Sequence, residues 1–128
     1  MTNTDPVKAA IEAKNSSYSP YSKFRVGAAL VTSDNNIFTG ANIENSSFSL
    51  TICAERVAFV KALTEGAKKF SKVYVATDQT EFVTPCGACR QFMMEFAPEL
   101  EVILIIADGS QKKYLLKDLI PECFNLKH

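Results

Sequence analysis

The chain has 128 residues, with 14 lysines and arginines balanced by 14 aspartates and glutamates, and 47% of its residues are hydrophobic. That length suits a single domain, residues 1–128, with a core of its own, and zero net charge argues against a nucleic acid polymer as ligand, which calls for a basic surplus or stripe. No apolar run approaches a membrane span and Met1-Thr2-Asn3-Thr4-Asp5 has no apolar signal core, so the expectation is a cytoplasmic protein whose cysteines are ligands or free thiols rather than disulfides.

Asp5-Pro6 reads as a helix start, an acidic cap followed by proline at the first helical position. Val7, Ala10 and Ile11 then repeat at helical spacing, predicting a helix to about Lys14. Residues 18–24 are a loop by composition. Residues 25–32 form an apolar β-rich run, Ser33-Asp34-Asn35-Asn36 is a turn, and residues 37–43 return antiparallel. Thr51 as N-cap and Gly66 as stop frame the next helix. Ile52, Val57, Phe59, Val60 and Leu63 cover most of its surface, which predicts burial nearly all round. A strand over 72–77 leads to a helix over 86–96 that Pro98 ends. Residues 101–107 read as a strand buried on both faces. Asp108-Gly109 turns the chain into an antiparallel strand over 112–116, and a short helix covers 116–119. The strand–helix alternation over 37–107 predicts an α/β fold with parallel crossovers. Both central helices then start at one edge of the sheet, where ligands bind in such folds.

The chemistry concentrates in Cys53-Ala54-Glu55 and, far downstream, Pro85-Cys86-Gly87-Ala88-Cys89. Alone, the second motif fits a redox pair, a structural zinc or buried apolar thiols equally. Joined to the first, it offers three soft ligands and one carboxylate outside the ligand set, the pattern of a zinc site with its fourth position open. Three thiolates overcompensate a dication, so the two helix N-termini must offset the surplus with N–H groups and dipoles. Glu55 lies about 200° round a helix from Cys53, and the two can share a target only off the helix end. Burial beside an anionic cluster should raise its pKa. His128 is the only histidine, so no histidine ligand or base is expected, and Cys123 belongs to neither motif. Asn42 and Glu44, two apart at a strand end, point the same way. An amide and a carboxylate suit sugar hydroxyls, and equally suit any polar strand-to-helix loop.

In these two motifs the chain resembles the small zinc-dependent cytidine deaminases of the three-cysteine class, and the resemblance runs from about Tyr18 to Phe124. It implies a three-layer α/β/α fold around a five-stranded mixed sheet. It implies one zinc per chain on Cys53, Cys86 and Cys89, with Arg56 reaching the ligand thiolates. It further implies hydrolysis of cytidine and deoxycytidine to uridine and deoxyuridine plus ammonia in pyrimidine salvage. There zinc-activated hydroxide attacks C4, and Glu55 protonates ring N3 and then the leaving amine. Asn42 and Glu44 would hold the ribose and Phe24 would wall the pyrimidine. Ala54 at the helix opening and the Pro85-Cys86 backbone would hold the base edge. Phe124 would enter a neighbour's site in a homotetramer with shared active sites. Phe48-Ser49 stands where many relatives carry Tyr-Gly, which removes a hydroxyl. Two alternatives stay open: an aminohydrolase for a modified nucleoside of the blasticidin type, and a non-enzymatic zinc-stabilised module.

Overall fold

The structure is a computed structural model that describes residues 5–126. The readings made on residues 1–4 and on His128 lie outside the described residues. Five strands build one sheet in the order β2-β1-β3-β4-β5, with β1 Val26–Thr32, β2 Ile37–Ala41, β3 Phe70–Thr77, β4 Glu101–Ile105 and β5 Gln111–Leu115. β1 and β2 are antiparallel with Ala29 opposite Thr39, and β1 is antiparallel to β3 with Ala29 opposite Tyr74. β3 and β4 are parallel and β4–β5 antiparallel, so the sheet is mixed as expected. The crossover from β2 to β3 passes over β1, so the two run in the same direction without touching.

Alternation along the strands divides the core between two faces. On one face Ala28, Leu30, Val73, Val75, Val102 and Leu104 pack against α2 (Ala54–Thr64) and α3 (Gly87–Phe96). On the other, Ala29, Ala76 and Ile105 pack against Ala9 and Ala10 of α1 (Pro6–Ala13). Helix layers on both faces give the three-layer α/β/α architecture. The Asp5 carboxylate accepts from the Val7 N–H at 3.0 Å, the cap that Asp5-Pro6 predicts. Gly66 follows the C-terminus of α2 with φ of 95°, a left-handed stop that glycine takes without strain.

Three local expectations are corrected. β2 ends at Ala41 rather than residue 43, and Ile43 survives only in isolated bridges to Tyr18 and Ile52. The N-cap of α2 is Cys53, not Thr51. Nor is α2 buried all round: Ala54, Glu55, Ala58, Phe59 and Ala62 form its buried face, while Ile52 precedes the helix and Val60 is 46% exposed. Alanine, not the large aliphatics, marks the face toward the sheet because the helix lies close to it. A Cβ on Gly40 of β2 would stand 2.6 Å from both the Ala54 carbonyl oxygen and the Ala58 nitrogen, so only glycine fits there.

Candidate metal centre and pocket

Both halves of the site form where a helix begins. α2 and α3 have cysteines as their N-cap residues, Cys53 and Cys86, each in extended geometry, and Cys89 lies in the first turn of α3. The helices are held side by side by an aromatic contact, Phe59 of α2 edge-on to Phe92 of α3 with centroids 6.4 Å apart. That packing fixes the distance between the two N-termini. The sulfurs of Cys53, Cys86 and Cys89 all lie within 4.8 Å of one another, and those of Cys53 and Cys86 are 3.7 Å apart. Cys123, as expected, stays outside the cluster.

The electrostatics fit a divalent cation. A hydrogen bond from Cys89 holds the Cys53 thiol down at about 6 against burial, with help from Cys86 and Arg56. Cys89, the donor in that bond and itself buried, is pushed far above the ordinary thiol range. The crowded sulfurs thus hold a proton between them where a dication would bind in its place. Burial lowers the pKa of the Arg56 guanidinium, and its attraction to Cys89 and Cys53 more than offsets that, so the group stays charged. Its Nη2 donates to the Thr51 carbonyl at 3.2 Å, while its Nε is buried with no partner among the described residues. A guanidinium beside Cys53 and Cys89 with a buried N–H to spare suits ionised sulfurs. The donor set and the charge beside it therefore fit zinc.

Above the sulfurs opens a cavity of about 350 Å³, within the range of small-molecule sites. Cys53, Cys86 and Glu55 share its wall, whereas Cys89 lies beneath, fully buried. Glu55 is 4% exposed. Burial pushes its carboxyl up to about 7, against its own backbone N–H, and the Cys53 charge adds to the rise. Such a group holds a proton near neutrality and releases it with little driving force. Phe24, Asn42, Glu44 and Ala54 also line this cavity, so every substrate contact expected within one chain converges on it. Phe124 does not; its ring is 69% exposed.

Asn42 and Glu44 do more than face the cavity. The Asn42 Nδ2 donates to the Phe24 carbonyl at 2.7 Å, and its Oδ1 accepts the Val26 N–H at 2.9 Å and the Ser17 hydroxyl. One amide N–H is left for a ligand and no strong acceptor. Glu44 Oε1 accepts the N–H groups of Tyr21 at 2.9 Å and Ser22 at 3.2 Å, and Oε2 accepts the Ser22 hydroxyl. The Ser22 hydroxyl holds the Glu44 carboxyl below the usual range, so it stays ionised. These two side chains therefore also build the loop that carries Phe24.

Two residues that the sequence reading assigned no role make side-chain bonds from α3, Arg90 to the loop before Cys86 and Gln91 to the C-terminal segment. Arg90 donates from Nε to the Pro85 carbonyl at 2.6 Å, from Nη2 to Thr84 Oγ1 at 2.7 Å and from Nη1 to the Leu119 carbonyl at 2.8 Å. Gln91 bonds both backbone groups of Phe124. A signal existed, since a polar pair directly after a ligand cysteine on a packed helix must find partners.

A family model described as the cytidine and deoxycytidylate deaminase zinc-binding region matches residues 2–105. A probable cytidine deaminase of Dictyostelium discoideum is 49% identical over 120 residues, which cover 93% of this chain and 81% of the relative. A cytidine deaminase of Halalkalibacterium halodurans is 44% identical over 119 residues, 92% of this chain and 90% of that one. The crystal structure of cytidine deaminase from Burkholderia pseudomallei superposes with a TM-score of 0.90 at 42% identity, covering 97% of this chain and all of the other.

Proposed function

We propose that this chain, which belongs to the cytidine and deoxycytidylate deaminase family, hydrolyses cytidine and deoxycytidine to uridine and deoxyuridine with release of ammonia. The observation that carries this reading is the shared wall of one cavity: two thiols of a three-cysteine cluster beside a buried carboxyl that titrates near neutrality.

Cys53, Cys86 and Cys89 would hold one zinc, with Arg56 balancing the surplus negative charge of the sulfurs. Bound zinc supplies Lewis acidity that makes water a nucleophile at neutral pH. Glu55 would take the first proton that water gives up and deliver it to ring N3 as C4 is attacked, then take the second from the new C4 hydroxyl and pass it to the departing amine. The water oxygen ends as the C4 carbonyl of the product and the exocyclic nitrogen leaves as ammonia. Burial suits Glu55 to this, because a carboxyl with a pKa of about 7 both gives and takes protons at physiological pH. Phe24 offers an apolar face to the pyrimidine, the Ala54 and Pro85–Cys86 backbone its polar edge, and Asn42 and Glu44 the ribose. The free N–H of Asn42 and the remaining lone pairs of Glu44 match a sugar hydroxyl that accepts from one and donates to the other.

We further infer a homotetramer in the cytoplasm, one domain over residues 1–128, with sites shared between subunits. An exposed Phe124 outside its own cavity and a 75% exposed Phe48 beside Glu44 support apolar surfaces that a second copy covers. No helix among the described residues is long and apolar enough to cross a membrane. The test is the ultraviolet change from cytidine to uridine, with and without a zinc chelator. Chelator-sensitive turnover is expected, and a zinc-loaded protein that leaves cytidine unchanged overturns the reading.

A further inference from the structure

α3 does more than carry Cys89. The next two residues also hold the C-terminal segment at two points, Arg90 with the one guanidinium nitrogen not spent on Pro85 and Thr84, and Gln91 with its whole amide. Arg90 Nη1 donates to the carbonyl of Leu119, the last residue of α4 (Leu116–Leu119). Gln91 Nε2 donates to the Phe124 carbonyl at 2.6 Å, and Gln91 Oε1 accepts the Phe124 N–H at 3.1 Å. No backbone–backbone hydrogen bond ties residues 121–126 to the rest of the described chain. The hydrogen bonds that hold Phe124 therefore come from one side-chain amide.

The chemistry of that contact is specific. A primary amide presents a donor and an acceptor in one plane, the pattern that one residue of a β-ladder shows to its partner. Two bonds to the same residue fix both the position of its backbone and the plane of its peptide groups. One bond would leave it free to swing. The residue at this tightly held position is nevertheless 69% exposed in its own chain. Two good hydrogen bonds on an exposed aromatic residue serve little purpose for the monomer's core. They fix the place from which the ring projects.

We propose that Gln91 is a positioning residue whose side-chain amide sets the Phe124 backbone so that its ring is presented, already ordered, to a neighbouring subunit's cavity. The proposal rests on the shared-site reading above. A ring on a free tail must lose its backbone freedom each time it closes over substrate, and the Gln91 amide removes that cost beforehand. Gln91 thereby links the helix that holds Cys89 to the wall of another subunit's pocket.

The test uses the zinc-loaded full chain and four variants: Gln91→Ala, Gln91→Glu, Phe124→Ala and the double Gln91→Ala/Phe124→Ala. Alanine keeps the helix, being its best former, and glutamate keeps the acceptor but loses the donor. Each Gln91 variant is expected to raise KM for cytidine about 5–30-fold, the scale of one residue's backbone ordering, with kcat and zinc content nearly unchanged. In the Phe124→Ala background Gln91→Ala should add nothing. Amide exchange gives a readout independent of activity: protection of the Phe124 N–H should vanish in Gln91→Ala and persist in Gln91→Glu. If Phe124→Ala raises KM and Gln91→Ala does not, the shared site stands and the positioning role is wrong. If the two effects multiply, Gln91 acts elsewhere and the proposal falls. A silent Phe124→Ala overturns the shared-site reading and this proposal with it.

Discussion

Asn42 and Phe24 are hydrogen-bonded to each other, Nδ2 to carbonyl oxygen at 2.7 Å, although 18 residues separate them. The link means that the residue proposed to meet the sugar also places the one proposed to meet the base. Asn42→Asp keeps the acceptor for Val26 but sets a carboxylate against the Phe24 carbonyl. A buried unsatisfied group of this kind costs about 1–3 kcal/mol. Denaturant unfolding should show that loss, and Michaelis kinetics should show a raised KM for cytidine. Equal stability and KM would mean the loop holds its shape unaided.

Glu55→Gln removes the titrating proton and keeps the shape of the side chain. Turnover should fall by about 10²–10⁴-fold, the usual contribution of a general acid–base group. Zinc content should stay at one per chain, because Glu55 lies outside the three-sulfur cluster. Metal analysis beside steady-state rates decides between loss of chemistry and loss of metal.

Arg90→Lys retains a charge and loses the planar fork that bonds Pro85, Thr84 and Leu119 together. Pro85 precedes Cys86, a proposed ligand, so the variant should release zinc to a competing chelator about 10–100-fold more readily, as loss of a support to a metal ligand commonly does. Unchanged release would show that helix packing alone holds the loop.

Asp78 gives a pH signature away from the metal. Hydrogen bonds from Arg25, then Lys14, hold its carboxyl at about 2 in the folded state, below the ordinary 3.8. Its folded pKa is depressed, so its contribution is fully present above about pH 4 and is lost as pH falls through about 2. The pairs are partly exposed and screened by solvent, so their contribution is small. Asp78→Asn should therefore sit slightly below wild type in unfolding free energy at neutral pH, with the gap closing between about pH 4 and pH 2. A gap that persists at pH 2 would assign the loss to packing.

The thiol cluster was legible in the chain because Cys53 and Cys86 stand where strand patterns give way to helices, and topology alone brings two such points together. Asp5-Pro6, Asp108-Gly109 and Gly66 likewise fixed their ends through local backbone chemistry. What escaped depended on partners distant in sequence. The burial of α2 was misread because Val60 looks like core until β2 is seen to approach the alanine side, across Gly40. The short β2 was missed because Ile43 continues the β pattern while its N–H turns to Ile52. Lys23 adopts a φ of 61° immediately before Phe24, a conformation no lysine announces; it is sustained by Glu44 and Asn42 around it. The double role of those two side chains had no local signature at all.

The separation of the thiols along the chain sets a timetable for the nascent protein. Cys53 leaves the ribosome 33 residues ahead of Cys86, and a domain generally folds as a unit. At that stage β1 has β2 for a neighbour but still lacks β3, on its other side. A metal ion met then finds a single sulfur, too few to be kept. Loading must wait until α3 has emerged and docked beside α2, so a metallated chain has already passed its own test of folding.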